Sequence, residues 1–190
     1  MFRSTVLAAL VVGLFLACGA AAQDAVQRSR EMAAALDKNK YKKKTKRDFT
    51  IEVYVDIKNS PAPKENASDL SGVYDSDGYR LEIRAAKNGD VTGSGFDSPY
   101  NDDSRTVKFT LRDARIDGAL LTAVKVYENG ETRKFEAVFV DRTVSVGKNA
   151  NDINTRDTMF GLGWVESGPA IAGSTEKTSE WTNRIFLERR

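Results

Sequence analysis

Apolar and polar residues alternate along the segment that begins at position 49. Every second residue is apolar, namely Phe49, Ile51, Val53, Val55 and Ile57. The residues between them are polar or amphipathic. Because successive side chains of a strand point to opposite faces, this period of two predicts a β-strand with one buried and one exposed face.

Shorter segments with the same alternation follow at regular spacing. They cover residues 70–74, 79–85, 91–96, 105–112, 119–128, 131–141, 158–165 and 181–188. Val144 and Val146 continue the pattern beyond the sixth of these segments. Gly93 and Gly95 interrupt the third, which predicts a bulge or a sharp bend there.

Turn-forming residues separate the predicted strands. Asn129-Gly130 is the strongest of these signals, because Asn-Gly supplies the positive φ angles of a type I′ turn between two paired strands. The short polar stretches that end at Gly78, Gly89 and Gly118 have the same character. Each therefore predicts a connection between neighbouring antiparallel strands.

The fold class follows from what lies between the strands. No long segment with helical periodicity interrupts them after position 48, which argues against parallel βαβ units. The sequence predicts an all-β fold, an antiparallel meander of about eight to nine strands that forms a small barrel or a sandwich. Closure into a barrel would leave no exposed strand edge.

Two short motifs resemble the opening of avidin-type and lipocalin-type (calycin-like) barrels. In the first, Gly72 is followed two residues later by the aromatic Tyr74, and the second is the segment 89–93, Gly-Asp-Val-Thr-Gly. Lipocalins carry tryptophan where this chain has Tyr74. The resemblance covers about 25 residues and implies a fold; it carries no biotin or lipid site to this chain.

The first 22 residues have the organisation of a signal peptide. Arg3 precedes an apolar run from Val6 to Ala17, and Ala20–Ala22 offer the small residues of a cleavage site before Gln23. The stretch around Cys18 also resembles a bacterial lipobox, although Phe15 stands where that motif has a leucine-like residue. We expect an exported protein, periplasmic or extracellular, with lipidation at Cys18 as the alternative to cleavage after Ala22.

Charge divides the remaining chain into an arm and a body. Residues 23–47 contain nine basic and three acidic side chains, whereas residues 48–190 contain 19 basic and 24 acidic ones. Within the arm, residues 24–36 predict a short helix with Val26, Ala33 and Leu36 on one side. Seven of the ten residues from Lys38 to Arg47 are basic, which predicts an extended, solvated linker. The expected organisation is a signal peptide (1–22), a helix with a basic linker (23–47) and one β domain (48–190).

The basic linker has two interpretations. It is either a soluble spacer or a contact with an anionic surface, since each lysine near an anionic membrane contributes about 1 kcal/mol. Aromatic residues other than Tyr41 are missing from it. Because single-strand binders stack bases on aromatic side chains, no specific nucleic acid partner is expected.

The residues that the chain lacks narrow its chemistry. It contains no histidine, and its one cysteine is Cys18, so Ser-His-Asp and Cys-His catalysis and histidine zinc ligands are excluded. Carboxylates remain available in the predicted hairpin, at Glu128, Glu131, Glu136 and Asp141. Solvated surface charge explains the same residues, and the chain is expected to be non-enzymatic.

No metal site or cofactor is predicted. The turn Asp75-Ser76-Asp77-Gly78 offers carboxylate oxygens suited to Ca²⁺, with Asp69 nearby, but aspartates are also good turn residues and the distal glutamate of an EF-hand is missing.

Aromatic residues supply the candidate binding site. Trp181, Arg184, Tyr74 and Tyr79 are expected to meet at an open end of the barrel, where they would offer a flat apolar surface, a fixed charge and hydroxyl groups. Gly161 and Gly163 face away from Phe160, Leu162 and Trp164 on one strand. Such a glycine face leaves room for a ligand or an apposed backbone.

Three functions are compatible with these features. The first is an exported, non-enzymatic β-barrel that binds a small molecule or a component of the cell envelope. The second is a structural or adhesion protein of the envelope that acts through protein–protein contacts. The third is a carboxylate-dependent hydrolase. An enclosed apolar cavity would favour the first, and a packed interior with an exposed apolar patch would favour the second.

Overall fold

The computed structural model describes residues 23–36, 40–46, 49–76, 78–97, 106–149, 151–167 and 182–190. The predicted signal peptide, Cys18 and Trp181 lie outside these residues. Among the described residues, no helix is both long and apolar enough to cross a bilayer.

Ten antiparallel strands form one sheet, and eight of them close into a ring. The strands are β1 (Lys40–Lys46), β2 (Phe49–Pro61), β3 (Gly72–Ser76), β4 (Tyr79–Ala85), β5 (Asp90–Asp97), β6 (Val107–Asp117), β7 (Leu120–Tyr127), β8 (Thr132–Asn149), β9 (Asp152–Ser167) and β10 (Thr182–Arg189). From β3 to β10 each strand pairs with the next along the chain, and β10 pairs back with β3. The ring is therefore a closed up-and-down barrel, which confirms the predicted all-β meander.

A second sheet region projects from the ring. The 18-residue strand β8 pairs with β7 over its first half and with β2 over its second half, and β9 pairs with it from Val138 to Asn149. β1 then pairs with β2. We call the part formed by β1, β2, residues 140–149 of β8 and residues 152–160 of β9 the protruding sheet.

The basic linker predicted between Lys38 and Arg47 is a strand of this sheet over Lys40–Lys46. The charge count predicts an extended, solvated segment; the segment is extended, and its backbone pairs with β2. Pairing with the strongly alternating strand β2 supplies backbone hydrogen bonds that the charge count does not reveal.

The barrel interior is filled by large side chains. Its fully buried members include Tyr74, Leu81, Ile83, Leu121, Phe139, Leu162 and Leu187. Phe139 lies 5.7 Å from Tyr74, ring centre to ring centre. Aromatic and branched residues thus occupy the space that a lipocalin-like cup would leave to a ligand.

Helix α1 (23–36) packs on the outside of the ring. Its buried residues recur at helical spacing, and they are Ala25, Ser29, Met32, Ala33 and Leu36. The Leu36 side chain packs directly on Gly163, and a Cβ atom added to Gly163 would come within 2.5 Å of it. Val26, predicted on the same side as Ala33 and Leu36, is 49% exposed, so the buried stripe starts one position earlier, at Ala25.

Two bulges bend the ring where its strands are most irregular. The register shifts between Val91 and Ser94 in β5, as the glycines there predict, and between Arg112 and Arg115 in β6. In β6 the shift coincides with Asp113, whose φ of 52° lies in the left-handed region.

The Asn129-Gly130 hairpin forms, but its turn type differs from the expected one. Gly130 has a φ of 85°, whereas Asn129 is not among the residues with positive φ, so the turn is not type I′. The amide of Gly130 donates to the carbonyl of Tyr127 at 2.9 Å, and the amide of Tyr127 donates to the carbonyl of Glu131 at 2.9 Å. This is the three-residue loop in which a left-handed glycine ends a type I turn.

Candidate functional site

A groove crosses the outer face of strands β4 to β7, near the end of the barrel where β5 and β7 finish. It encloses about 570 Å³ and is lined by Arg80, Glu82, Ser94, Gly95, Phe96, Lys108, Phe109, Thr110, Val126, Tyr127 and Glu128. We call it the β4–β7 groove. Its volume lies within the range of small-molecule sites, about 300–1,000 Å³.

Two rows of cross-strand neighbours build the groove. Phe96 stands opposite Arg80 on one side and opposite Lys108 on the other. In the second row, Ser94 pairs with Glu82 and with Thr110, and Thr110 pairs with Val126. Directly opposed residues of antiparallel strands share a face, so the first row presents an aromatic ring between two cations.

The two cations of the groove have no ionic partner within the described part of the chain. Arg80 and Lys108 are exposed, and neither forms an ion pair with another described residue. Glu82, in the other row, lies 3.5 Å from Arg84. The Phe96 row therefore combines apolar surface with two cations, and Glu128, whose amide donates to the Lys108 carbonyl at 3.2 Å, places a carboxylate at the end of the row.

Behind the groove, inside the ring, lies a buried polar network. The Lys125 ammonium donates to both carboxylate oxygens of Asp97, at 2.9 and 3.1 Å, and the Tyr127 hydroxyl donates to Asp97 Oδ2 at 2.8 Å. The Lys125 side chain is 2% exposed and that of Asp97 is 9% exposed. A buried charge pair is tolerated when its hydrogen-bonding capacity is filled in this way.

Aromatic rings complete the surroundings of the ammonium group. Lys125 Nζ lies 4.4 Å from the ring centre of Phe109, 4.7 Å from that of Phe135 and 5.1 Å from that of Trp164. Cations are attracted to aromatic faces at these distances. Phe109, one of these rings, and Tyr127, which donates to Asp97, also line the groove, so the buried network holds the groove wall in place.

The structure separates the described members of the predicted aromatic site. Tyr74 and Tyr79 point into the barrel, where the Tyr74 hydroxyl donates to the carbonyl of Leu70 at 2.6 Å and Tyr79 packs against Trp164 at 6.0 Å. Arg184 is exposed on the outer face, and its Nε donates to the carbonyl of Ala35 in α1 at 2.8 Å. These three residues do not line one pocket, and a ligand contact by Trp181, outside the described residues, stays a prediction.

Burial also fixes the chemistry of Tyr74. Removal from water raises the pKa of its phenol well above the ordinary value, and the nearby Arg189 opposes this only in part. The hydroxyl is thus a neutral structural donor at physiological pH.

The glycine face of β9 is occupied by the chain itself. Gly163 accommodates Leu36 of α1, and Gly161 lies against the backbone of Leu187 and the ring of Phe186. The space that the glycines predict is real, but helix and strand fill it. Trp164, 3% exposed, is a core residue.

The predicted carboxylate candidates are dispersed. Glu131 forms an ion pair with Arg133 at 2.8 Å, and Glu136 forms one with Arg28 of α1 at 2.7 Å. Glu128 lines the groove, and Asp141 is exposed on β8. Asp75 pairs with Arg190 at 3.1 Å, while Asp77 lies outside the described residues. Over the described residues, no group of carboxylates is arranged to hold a metal ion.

Sequence reasoning missed the groove and the network. The inward position of Lys125 was readable from its strand, because it shares a face with Leu121, Ala123 and Tyr127. Its partner Asp97 and the groove row depend on the register between strands that are distant in sequence, which no local pattern specifies.

Comparison of the chain with protein-family models, with curated proteins and with solved structures gives no match. The calycin-like resemblance therefore stays a prediction, and the geometry of this chain alone supports its function.

Proposed function

We propose that this protein is an exported, non-enzymatic binding protein that takes a small anionic amphiphile in the β4–β7 groove. The observation that carries the proposal is Phe96, placed between Arg80 and Lys108 on the groove wall. An amphiphile with a flat or chain-like apolar body and one acidic group matches this combination. The export assignment rests on the sequence of residues 1–22.

The apolar part of the ligand would lie on Phe96 and Val126, both half-buried on the outer face of the sheet. Pockets for small molecules combine apolar walls with a few polar groups that fix orientation. Ser94 and Thr110, which share the second row with Val126, are exposed and offer hydroxyl groups. They would hydrogen-bond the ligand along its length.

The acidic part would lie between the two cations. Arg80 and Lys108 belong to strands with one strand between them, so their backbones are about 10 Å apart. Their long side chains can converge on one carboxylate, sulfonate or phosphate. Because neither cation has an ionic partner in the described part of the chain, binding breaks no ion pair there.

The buried network supports the site by keeping it preformed. Tyr127 lines the groove with part of its surface and is held from inside by Asp97 at 2.8 Å. Phe109 is fixed between Tyr127, at 5.7 Å, and the Lys125 ammonium group. A rigid wall reduces the entropy cost of binding.

The test uses 8-anilinonaphthalene-1-sulfonate, an aromatic anion whose fluorescence rises in apolar surroundings. The chain from residue 23 is titrated with the dye, as wild type and as the variants Phe96→Ala and Arg80→Gln/Lys108→Gln. We expect saturable binding with one site, and a Kd at least about tenfold weaker in each variant, the equivalent of 1.4 kcal/mol.

The matched control is Arg112→Gln/Arg115→Gln, which removes the same charge from exposed positions outside the groove lining. It should leave the Kd unchanged, and circular dichroism melts should show that all variants are folded. Equal weakening by the groove and control variants would mean non-specific attraction of the dye and would refute the proposed site.

A further inference from the structure

Strand β1 places its lysines in a regular relation to the apolar positions of β2. Lys40, Lys42, Lys44 and Lys46 stand opposite Val55, Val53, Ile51 and Phe49, in that order. The odd-numbered positions of β1 stand opposite Tyr54, Glu52 and Thr50. Since opposed residues share a face, the register assigns four lysines to the apolar face of β2.

The apolar face continues from β2 to β8, and on β9 it gives way to Thr155 and Asp157, which stand opposite Val146 and Val144. Val55 stands opposite Val146 of β8, and Ile57 stands opposite Val144. None of the described apolar residues on this face of β2 and β8 is buried; all are half-buried, and they are Val53, Val55, Ile57, Val144 and Val146. They form a strip of aliphatic surface beside the lysine row.

The opposite face of the same sheet has a different character. Its rows combine Asp56 with Ser145 and Arg156, and Lys58 with Thr143 and Thr158. Lys58 compensates Asp56 at 3.6 Å. The protruding sheet is therefore amphipathic, and positive charge gathers on its apolar side.

We propose that the apolar face of the protruding sheet docks on an anionic lipid bilayer. Lysines two residues apart on a strand are spaced by about 7 Å, so the row spans several head groups. Aliphatic side chains beside the row would enter the boundary between head groups and acyl chains, as the apolar faces of interfacial elements do. The lysines would contact anionic head groups, and both contacts form in the same orientation of the sheet.

Nucleic acid fits this face less well than lipid. Proteins that bind single strands stack bases on aromatic side chains. Tyr41, the aromatic residue of β1, stands opposite Tyr54 and therefore belongs to the other face, which leaves Phe49, opposite Lys46, as the one aromatic residue that β1 and β2 place on the lysine face. Valine and isoleucine provide aliphatic surface that a bilayer boundary accepts and a sugar-phosphate backbone does not use.

A second explanation of the lysines must be distinguished experimentally. Lysine on an edge strand prevents edge-to-edge pairing between copies of a protein. If edge protection were their only role, the protein would stay monomeric after any substitution in β1 that keeps one charged residue on each face. The docking proposal instead requires the even-numbered lysines together with the valines.

The experiment is flotation of the chain from residue 23 with vesicles of phosphatidylcholine alone or mixed with phosphatidylglycerol. We expect binding to the mixed vesicles only, weakened by salt. Replacement of Lys40, Lys42, Lys44 and Lys46 by Gln should lower the partition coefficient at least a hundredfold, because each lysine near the surface contributes roughly fivefold. Val144→Thr/Val146→Thr keeps the shape of both side chains and should lower it about tenfold, through lost apolar contact.

The charge-matched control replaces Lys58, Lys64, Lys87 and Lys134 by Gln. These four are exposed at other places in the described chain, and Lys58 lies on the opposite face of the same sheet. The control should bind mixed vesicles within about threefold of wild type, the change that general electrostatics allows. Lys108→Gln, in the groove, should also bind them, which separates this proposal from the proposed function.

Three results would overturn the proposal. An equal drop of the partition coefficient in the control and in the β1 variant would mean that vesicle binding depends on net charge and not on this face. Self-association of the β1 variant without loss of vesicle binding would assign the lysines to edge protection. Full competition by heparin or a single-stranded oligonucleotide, with the valine variant unaffected, would replace the lipid by a soluble polyanion.

Discussion

Lys125 carries a positive charge into a barrel interior that is otherwise mostly apolar. Asp97 neutralises it through two hydrogen bonds, and three aromatic rings surround it. Replacing Lys125 with methionine would leave the Asp97 carboxylate buried without its cation. We expect Lys125→Met to lower the free energy of unfolding by about 3–5 kcal/mol, measured by urea denaturation.

The double variant Lys125→Met/Asp97→Asn removes both charges and keeps an acceptor for the Tyr127 hydroxyl. The double variant should recover part of the lost free energy of unfolding, because the cost of Lys125→Met comes from the Asp97 carboxylate that is left buried without a cation. Lys134→Met, an exposed lysine of β8, is the control and should change stability by less than about 0.5 kcal/mol. Equal losses in the single and double variants would refute the pairing argument.

Tyr74 makes stability depend on alkaline pH. Burial raises the pKa of its phenol in the folded protein, so the unfolded chain loses this proton first, near pH 10, while the folded chain keeps it. The contribution of the group is therefore present below the unfolded pKa and declines as pH rises above it. Between pH 9 and 11, wild type should lose stability faster than Tyr74→Phe.

At neutral pH the same variant isolates the hydrogen bond to Leu70, which is 2.6 Å long. Tyr74→Phe should then be less stable by about 0.5–1.5 kcal/mol. The hydrogen bond stabilises wild type at neutral pH, whereas ionisation of Tyr74 in the unfolded chain lowers the stability of wild type in alkali. The difference in stability between wild type and Tyr74→Phe should therefore shrink as pH rises. A difference that stays constant from pH 7 to 11 would mean that Tyr74 ionises normally.

Single residues differ in how far the sequence reveals them. Tyr74 was recognisable as an aromatic on the first strand of the ring, but its inward orientation removes it from ligand binding. No local sequence pattern identifies Phe96 as a binding residue. Its role depends on its neighbours in the sheet, Arg80 and Lys108, which are 16 and 12 residues away in the chain. Pairing register, which decides which side chains meet, is set by the whole sheet.

Turns show how two similar glycines can have different requirements. Gly89 and Gly130 both end type I turns with φ values of 90° and 85°. A Cβ atom at Gly130 would meet nothing within 4 Å, whereas a Cβ atom at Gly89 would collide with the carbonyl oxygen of Ile116. Gly130→Ala should cost about 1–2 kcal/mol from backbone strain alone.

Gly89→Ala adds a steric conflict with backbone, so it should cost about 1–3 kcal/mol more than Gly130→Ala. The two variants introduce the same substitution at the same kind of turn, so each is the control of the other in thermal denaturation. Equal changes in Tm would show that β6 moves freely away from the β4–β5 turn, contrary to the hydrogen bond from the Ile116 amide to the Gly89 carbonyl at 2.7 Å.

Strands were predicted well where alternation is strict and bounded by turn residues. β4 has the predicted bounds of 79–85, and β7 differs by one residue at each end. β8 and β9 extend far beyond their predicted segments, to 18 and 16 residues, because their polar halves pair with each other and with β2 instead of with the ring. Hydrophobic alternation does not reveal a strand segment whose residues are mostly polar on both faces, such as residues 152–158 of β9.

Closure of the complete barrel depends on a short seam. β3 and β10 share two residue pairs, Asp75 with Glu188 and Tyr74 with Arg189. Arg189 reinforces the seam by donating to the carbonyls of Asp69 and Ser71, at 2.9 and 2.6 Å. Arg189→Met should lower stability by about 1–2 kcal/mol, a value reduced by the exposure of the side chain.

Hydrogen exchange gives the more specific measurement. Amides of β3 and β10 should exchange faster in Arg189→Met, while those of β7, on the far side of the ring, should change little. Arg112→Met is the control, since Arg112 is exposed and pairs only with its neighbour Asp113 among the described residues, at 3.4 Å. Uniform acceleration over all strands would mean that the seam opens only with global unfolding.

Two strands belong to both parts of the molecule. β8 runs from the ring into the protruding sheet without interruption, and β9 returns beside it. The nine residues from Asp141 to Asn149 extend about 30 Å in β conformation. A force applied to the tip of the protruding sheet would therefore be transmitted to the ring through the backbones of β8 and β9. Whatever holds that tip also sets the height and the tilt at which the barrel is carried.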